Sequence, residues 1–160
     1  MKSSQDWVKQ LNLEPHPEGG YYRRIYESLQ SMDTPSGKRH SATAIHYLLE
    51  ANDFSAWHKI KQDELWFYHA GATLTVHHID PLGKIVSQQL GANDDMSITI
   101  AANTWFCAEI TQSNSPQDYS LVSCVVSPGF DFEDFELGHA KQLSKAFPQH
   151  EALIKRLCRE

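Results

Sequence analysis

Cysteine is scarce in this chain of 160 residues: Cys107, Cys124 and Cys158 are odd in number and show no Cys-x-x-Cys spacing. That argues against a disulfide framework and makes a reducing, cytoplasmic setting the simplest expectation. Cys107 and Cys124 lie inside apolar strand-like runs, where a free cysteine behaves as a small buried hydrophobe rather than a nucleophile. Positive charge is also in short supply. Fourteen Lys and Arg stand against twenty Asp and Glu, a net charge of −6, with a pI near 5.8. A nucleic-acid binder needs a basic face, so that class is set aside. No run approaches the ~18 apolar residues of a membrane span. The opening "MKSSQDWVKQLNL" lacks the apolar stretch of a signal peptide. Internal repeats and low-complexity segments are missing, and helical periodicity is absent from the middle of the chain.

What is there is an ordinary soluble composition, 41% hydrophobic and 21% charged, in a chain long enough to bury one core. Helix signals sit at the two ends. "SSQDWVKQLNL" offers Ser4 as a cap, with Trp7, Val8 and Leu11 on one face. "GHAKQLSKAFPQHEALIKRLCRE" reads as two short helices split at Pro148, with Leu153, Ile154 and Leu157 forming an apolar stripe. Between the ends, seven runs rich in β-branched and aromatic residues alternate with turn chemistry: "YYRRIYES", "ATAIHYLLE", "ELWFYHAG", "ATLTVHHID", "KIVSQQLG", "MSITIAANTWFCAEI" and "YSLVSCVVSPGF". Short strands without intervening helices predict an all-β sandwich or barrel, here a jelly roll with helical ends.

One stretch carries chemistry. "WHKIKQDELWFYHAG" resembles the first motif of the cupin superfamily, Gly, five residues, His-x-His, three or four residues, Glu, six residues, Gly. Asn52 stands at the first Gly, His58 and Ile60 at the two His positions, then Glu64 and Gly71. The second cupin motif, Pro-x-Gly-x-x-His, is matched in spacing by "AANTWF", with Ala101, Asn103 and Phe106 at its three defining positions. Two of the four metal-ligand positions are therefore apolar. A catalytic metal generally needs three protein ligands, so no metal and no other cofactor is expected unless a histidine such as His46 or His78 is recruited. The alternative for His58 is a buried imidazole paired with Glu64 or Asp63, a pairing that orients the ring and raises its basicity.

A second resemblance spans about Leu11 to Gly138. "LNLEPHPEGGYYRRIYES", "ANTWFCAEI" and "YSLVSCVVSPGFDFEDFELG" are similar to blocks of one small cupin group, DUF985, often catalogued as sugar-epimerase-like. The resemblance implies a double-stranded β-helix jelly roll with short N- and C-terminal helices. It also implies one cupin domain over residues 1–160 (core about 11–138, helical tail 139–160), a homodimer, and a small-molecule pocket inside the barrel. "Epimerase" is here an analogy to the metal-free deoxysugar-nucleotide 3,5-epimerases. Ala101 and Asn103 replace the Pro and Gly common in that group, which leaves open the shape of the turn before Trp105.

The remaining motifs each admit two readings. Gly19 and Gly20 in "HPEGGYYRR" fit a structural turn better than a phosphate cradle, because no phosphate-loop context follows. Alternation puts Tyr22 and Arg24 on one face, and Arg24 is either a ligand-binding fork or a solvated arginine. Trp57, Trp66 and Trp105 flank the motif and either stack a flat ligand or pack the core. "GFDFEDFE" reads as a half-buried segment with a solvated acidic side.

Three functions follow. The first is a metal-independent epimerase or isomerase of a sugar or other carbonyl compound. His58 is its base, oriented by Asp63 or Glu64, and Tyr22 or Tyr68 its acid, with Arg24 or Lys59 stabilising the enolate and Phe106 and the tryptophans shaping the pocket. The second is a small-ligand binder without catalysis. The third is a metal-dependent cupin enzyme.

Overall fold

The structure, a computed structural model, describes residues 1–159. It opens on α1 (Ser4–Gln10), followed by β1 (Glu14–Pro15), β2 (Tyr21–Glu27), β3 (Ser31–Thr34), β4 (Gly37–His40), β5 (Thr43–Glu50) and β6 (Phe54–Lys59). Next come β7 (Asp63–Gly71), β8 (Leu74–Ile79), β9 (Ile85–Leu90), β10 (Ser97–Ile100), β11 (Phe106–Glu109), β12 (Tyr119–Ser127) and β13 (Glu136–Leu137). Two helices, α2 (Ala140–Ala146) and α3 (Glu151–Arg156), close the chain.

The strands form two antiparallel sheets, ordered β1-β2-β5-β12-β7-β10 and β13-β6-β11-β8-β9, plus the separate hairpin β3-β4. The sheets face each other as a jelly roll. Between them lies the main core, in which Tyr47, Leu49, Trp66, Val76, Phe106 and Val122 are buried. Strand alternation explains this layer: in β8, Leu74 and Val76 point inward while Ile79 points out toward the C-terminal helices. The outer face of the five-stranded sheet is sealed by α2 and α3 through Leu143, Ile154 and Leu157 against Trp57 and Cys107. Trp7, Val8 and Leu11 of the α1 region pack on Leu48 and Tyr119 of the other sheet.

Several expectations need correction. The N-cap is Ser3, in a capping box with Asp6, whereas Ser4 is buried inside the helix and donates to Glu50. "MSITIAANTWFCAEI" is two strands, because a turn holding Asn103 at φ +59 divides it. Asparagine tolerates that left-handed conformation, and the turn is held by Asn103 N–H donating to the Ile60 carbonyl at 2.8 Å. The acidic side of "GFDFEDFE" is not wholly solvated: Asp134 is buried and accepts from Arg39 at 2.9 Å. That pair ties the polar β3-β4 hairpin, which has no hydrophobic alternation to announce it, to the segment after β12.

Candidate functional site

The turn before β2 begins at "PHPEGG". Gly19 and Gly20 adopt φ +114 and +71, a region costly for any residue with a Cβ. The turn is pinned from several sides. His16 N–H donates to the Gly20 carbonyl and Ala56 N–H to the Glu18 carbonyl, while Gly20 N–H donates to Asp53 at 2.9 Å. Tyr47 O–H donates to the Gly19 carbonyl at 2.7 Å. This bracing aims the Glu18 side chain into the space between the sheets.

There Glu18 meets His58 from β6. Glu18 Oε2 lies 3.0 Å from His58 Nε2, and Ser55 Oγ donates to Glu18 Oε1 at 3.0 Å. His58 Nδ1 sits 2.7 Å from the Ala56 carbonyl oxygen. That oxygen only accepts, so Nδ1 carries a proton, and in the neutral ring that burial favours Nε2 faces Glu18 with its lone pair. Burial disfavours charge on both partners: it lowers His58 to about 4 and raises Glu18. A neutral imidazole accepting from a protonated Glu18 carboxyl satisfies both shifts with one shared proton.

Glu64 of β7 lines the same cavity, and burial followed by the nearby Glu18 raises its carboxyl to about 8. The cavity has about 510 Å³ of unfilled space, counted out to its mouth, and Tyr22, Arg24, Phe130 and Phe135 line it as well. His16 edges onto Tyr22 at 4.6 Å and accepts the Glu18 N–H at Nδ1. Burial lowers its pKa too. Arg24 is committed at the rim, donating to Glu27 at 2.8 Å and to the Phe130 carbonyl at 3.0 Å.

Residues 5–138 match the family described as Cupin superfamily (DUF985). The chain belongs to that cupin family. It is similar to a hypothetical protein from Leishmania major, with 36% identity, a TM-score of 0.92, and 99% of this chain covering 100% of the other. A protein from Shewanella oneidensis is 36% identical, with a TM-score of 0.89 and 99% of each chain covered. A cupin 2 domain-containing protein from Halorhodospira halophila shares the fold at 13% identity, with a TM-score of 0.58 over 92% of this chain and 88% of that one. No curated protein matches.

The cupin metal positions do not suit a metal in this member of the family. Ile60 and Phe106 offer no donor atom. The Phe106 ring packs 4.1 Å from that of His58, centroid to centroid, and His58 Nε2 is turned to Glu18. Among the described residues no group of three His, Cys, Asp or Glu side chains is arranged to hold an ion. Neither His46 nor His78 reaches the cavity; they lie on β5 and β8, in different sheets, and His46 contacts Ser123 at 3.3 Å.

Of the residues singled out from the sequence, the cavity brings together His58, Glu64, Tyr22 and Arg24. Ile60 lines it as well, whereas Asp63, Trp57, Trp66, Tyr68, Trp105 and Phe106 do not. Trp57 points out under the C-terminal helices, with its indole N–H donating to the Leu153 carbonyl at 3.4 Å. Trp105 packs in that same outer cluster, with Lys59 over its ring at 4.7 Å. Lys59 also pairs with Glu136, so it is no enolate-stabilising group. Trp66 and Phe106 are buried core residues behind Glu64 and His58. Tyr68 O–H donates to its neighbour Gly71. Asp63 accepts the Ala102 N–H at 2.8 Å and does not orient His58; Glu18 does.

Glu18 and His16 escape the sequence reasoning because "HPEGG" is weighed there only through its glycines, as a structural turn against a phosphate cradle. The available signal was chemical: a histidine and a carboxylate bracket a glycine pair, and only a rigid turn makes their direction reproducible.

Proposed function

We propose that this cupin binds a small carbonyl compound and exchanges a proton at the carbon next to its carbonyl, as an epimerase or isomerase does, without a metal. The observation that carries this reading is Glu64, a carboxyl buried in a cavity that it shares with the proton-sharing pair Glu18–His58, its pKa pushed up by burial to about 8. A group that titrates close to the working pH is the most effective proton shuttle. The best base is therefore Glu64 rather than His58, whose depressed pKa makes it a poor one. In its ionised fraction Glu64 takes the α-proton. Tyr22, whose pKa burial raises, keeps its phenolic proton and donates to the carbonyl oxygen. The Glu18–His58 pair supplies a neutral wall against which the substrate is oriented.

The test is deuterium incorporation followed by NMR, with a panel of aldoses, ketoses and other carbonyl compounds in deuterated water. Incorporation that falls by at least ~10²-fold in Glu64→Gln supports the reading, since one acid–base group contributes on that scale. Incorporation unchanged in that variant removes it.

One observation favours a second reading, a binding protein without turnover. Arg24 is already occupied by Glu27 and the Phe130 carbonyl, so among the described residues no free fixed cation faces the cavity to stabilise an enolate. Binding with no incorporation across the panel decides for it.

A further inference from the structure

Two buried carboxyls face one cavity that holds no free positive charge. Glu18 is 6% and Glu64 8% exposed. The polar groups of its neighbours Cys124 and Trp66 interact with the Glu64 carboxyl, but neither carries a positive charge, and burial outweighs both. The other groups around Glu64 are His58 on β6, Tyr47 on β5, and His16, Tyr22 and Arg24 from the turn and β2. Both imidazoles lean neutral by burial, and Arg24 is neutralised by Glu27. A buried carboxylate needs a counter-charge or a proton, and the protein supplies only the proton.

The walls point the same way. His16, Tyr22, Phe130 and Phe135 put aromatic rings around the cavity. Phe132, 46% exposed, closes the ring cluster at 5.0 Å from Phe130 and 5.9 Å from Phe135. Aromatic faces attract organic cations through the ring quadrupole, and a cage of them over carboxylates is how proteins hold ammonium groups.

We infer that the ligand of this pocket carries a positive charge: a small amine or quaternary ammonium compound, whose cation seats in the aromatic cage against Glu64 and Glu18. This deepens the proposed function by naming the substrate class, an amine-bearing carbonyl compound, and it rests on that reading only for the carbonyl. The ammonium group then provides what the site lacks. It acidifies the neighbouring carbon and balances the enolate. Its arrival displaces a proton from the carboxyl it pairs with.

The experiment is calorimetric titration of the full chain at about pH 8 with choline and ethanolamine. Each is set against an uncharged counterpart of nearly the same shape, 3,3-dimethylbutan-1-ol for choline and propan-1-ol for ethanolamine. The expected result is that at least one cation binds about tenfold or more tighter than its counterpart. That preference falls about tenfold in Glu64→Gln or Glu18→Gln, variants that keep the side-chain shape. Equal or better binding of the neutral counterparts, no binding of either cation, or a preference unchanged in both variants overturns the inference. The readout is binding, so the two proposals fail separately. Cation preference without deuterium incorporation removes the catalytic reading alone, and incorporation into a neutral sugar without cation preference removes this one alone.

Discussion

Glu18 Oε2 lies 3.0 Å from His58 Nε2 in the interior of the jelly roll, joining a glycine-rich turn to an inner strand through one shared proton. His58 Nδ1–H is committed to the Ala56 carbonyl, and with burial keeping the ring neutral and raising the Glu18 carboxyl, Glu18 donates and the imidazole accepts.

The first prediction concerns this pair. Glu18→Gln keeps a donor toward His58 Nε2 and is expected to unfold in urea near the wild-type midpoint. Glu18→Ala leaves a buried acceptor unsatisfied and is expected to lose about 1–3 kcal/mol. Equal losses in the two variants would show that the pair is an ion pair instead.

The pH dependence of stability has a sign for each group. Glu64 binds its proton more tightly when folded, at about 8 against an ordinary carboxyl unfolded. Its contribution is present at low pH and is lost as pH rises through the ordinary value to about 8. His58 is the reverse: at about 4 when folded, its contribution is present above the ordinary imidazole value and is lost as pH falls from there to about 4. The two slopes oppose each other in the mildly acidic range. From near-neutral pH to about 8 the Glu64 loss, on the order of 1.4 kcal/mol per pKa unit, stands alone of these two; Glu18, raised in the same direction, contributes with the same sign. Denaturant unfolding across this range should show a steeper decline for wild type than for Glu64→Gln. Parallel curves would refute the assignment.

Gly19 is predicted to accept no side chain. Its φ is +114, and an added Cβ would lie 2.0 Å from the Phe54 carbonyl oxygen. Gly19→Ala should lose at least about 1–3 kcal/mol from backbone strain, a fall of roughly 2–4 °C in Tm per kcal/mol for a domain of this size. It should also disturb the Glu18–His58 contact, seen as a changed His58 ring shift by NMR. An unchanged Tm is the contrary result.

Metal removal should be silent. Dialysis against EDTA, and separate addition of Zn²⁺, Mn²⁺ or Fe²⁺, are expected to leave the thermal midpoint where it was. A site saturated a hundredfold over its Kd would add about 2.7 kcal/mol, which differential scanning fluorimetry resolves readily.

The legible parts of the chain were those where a local pattern carries the information. Alternation in "TLTVHHID" separated Leu74 and Val76 from Ile79, and the break at Pro148 separated α2 from α3. The cupin resemblance implied that His58 and Glu64 point inward, and alternation put Tyr22 and Arg24 on a common face; the structure has all four on the cavity wall. Asp63, Trp57, Trp66, Tyr68 and Trp105 were misplaced by the same reasoning. Closeness to a motif in sequence says nothing about which sheet face a side chain takes, and Trp57 and His58 are neighbours that point to opposite faces of β6.

Composition and periodicity by themselves determined the all-β class and the helical ends, because each rests on residue type and spacing along the chain; the resemblance to the cupin motifs added the family and the two apolar residues at metal-ligand positions. Tertiary structure alone decided that Glu18, not Asp63, meets His58, that Asp134 is buried on Arg39, and that two carboxyls share one cavity. Those contacts join segments remote in sequence, and the proton they hold depends on burial, a property that no single stretch of chain possesses.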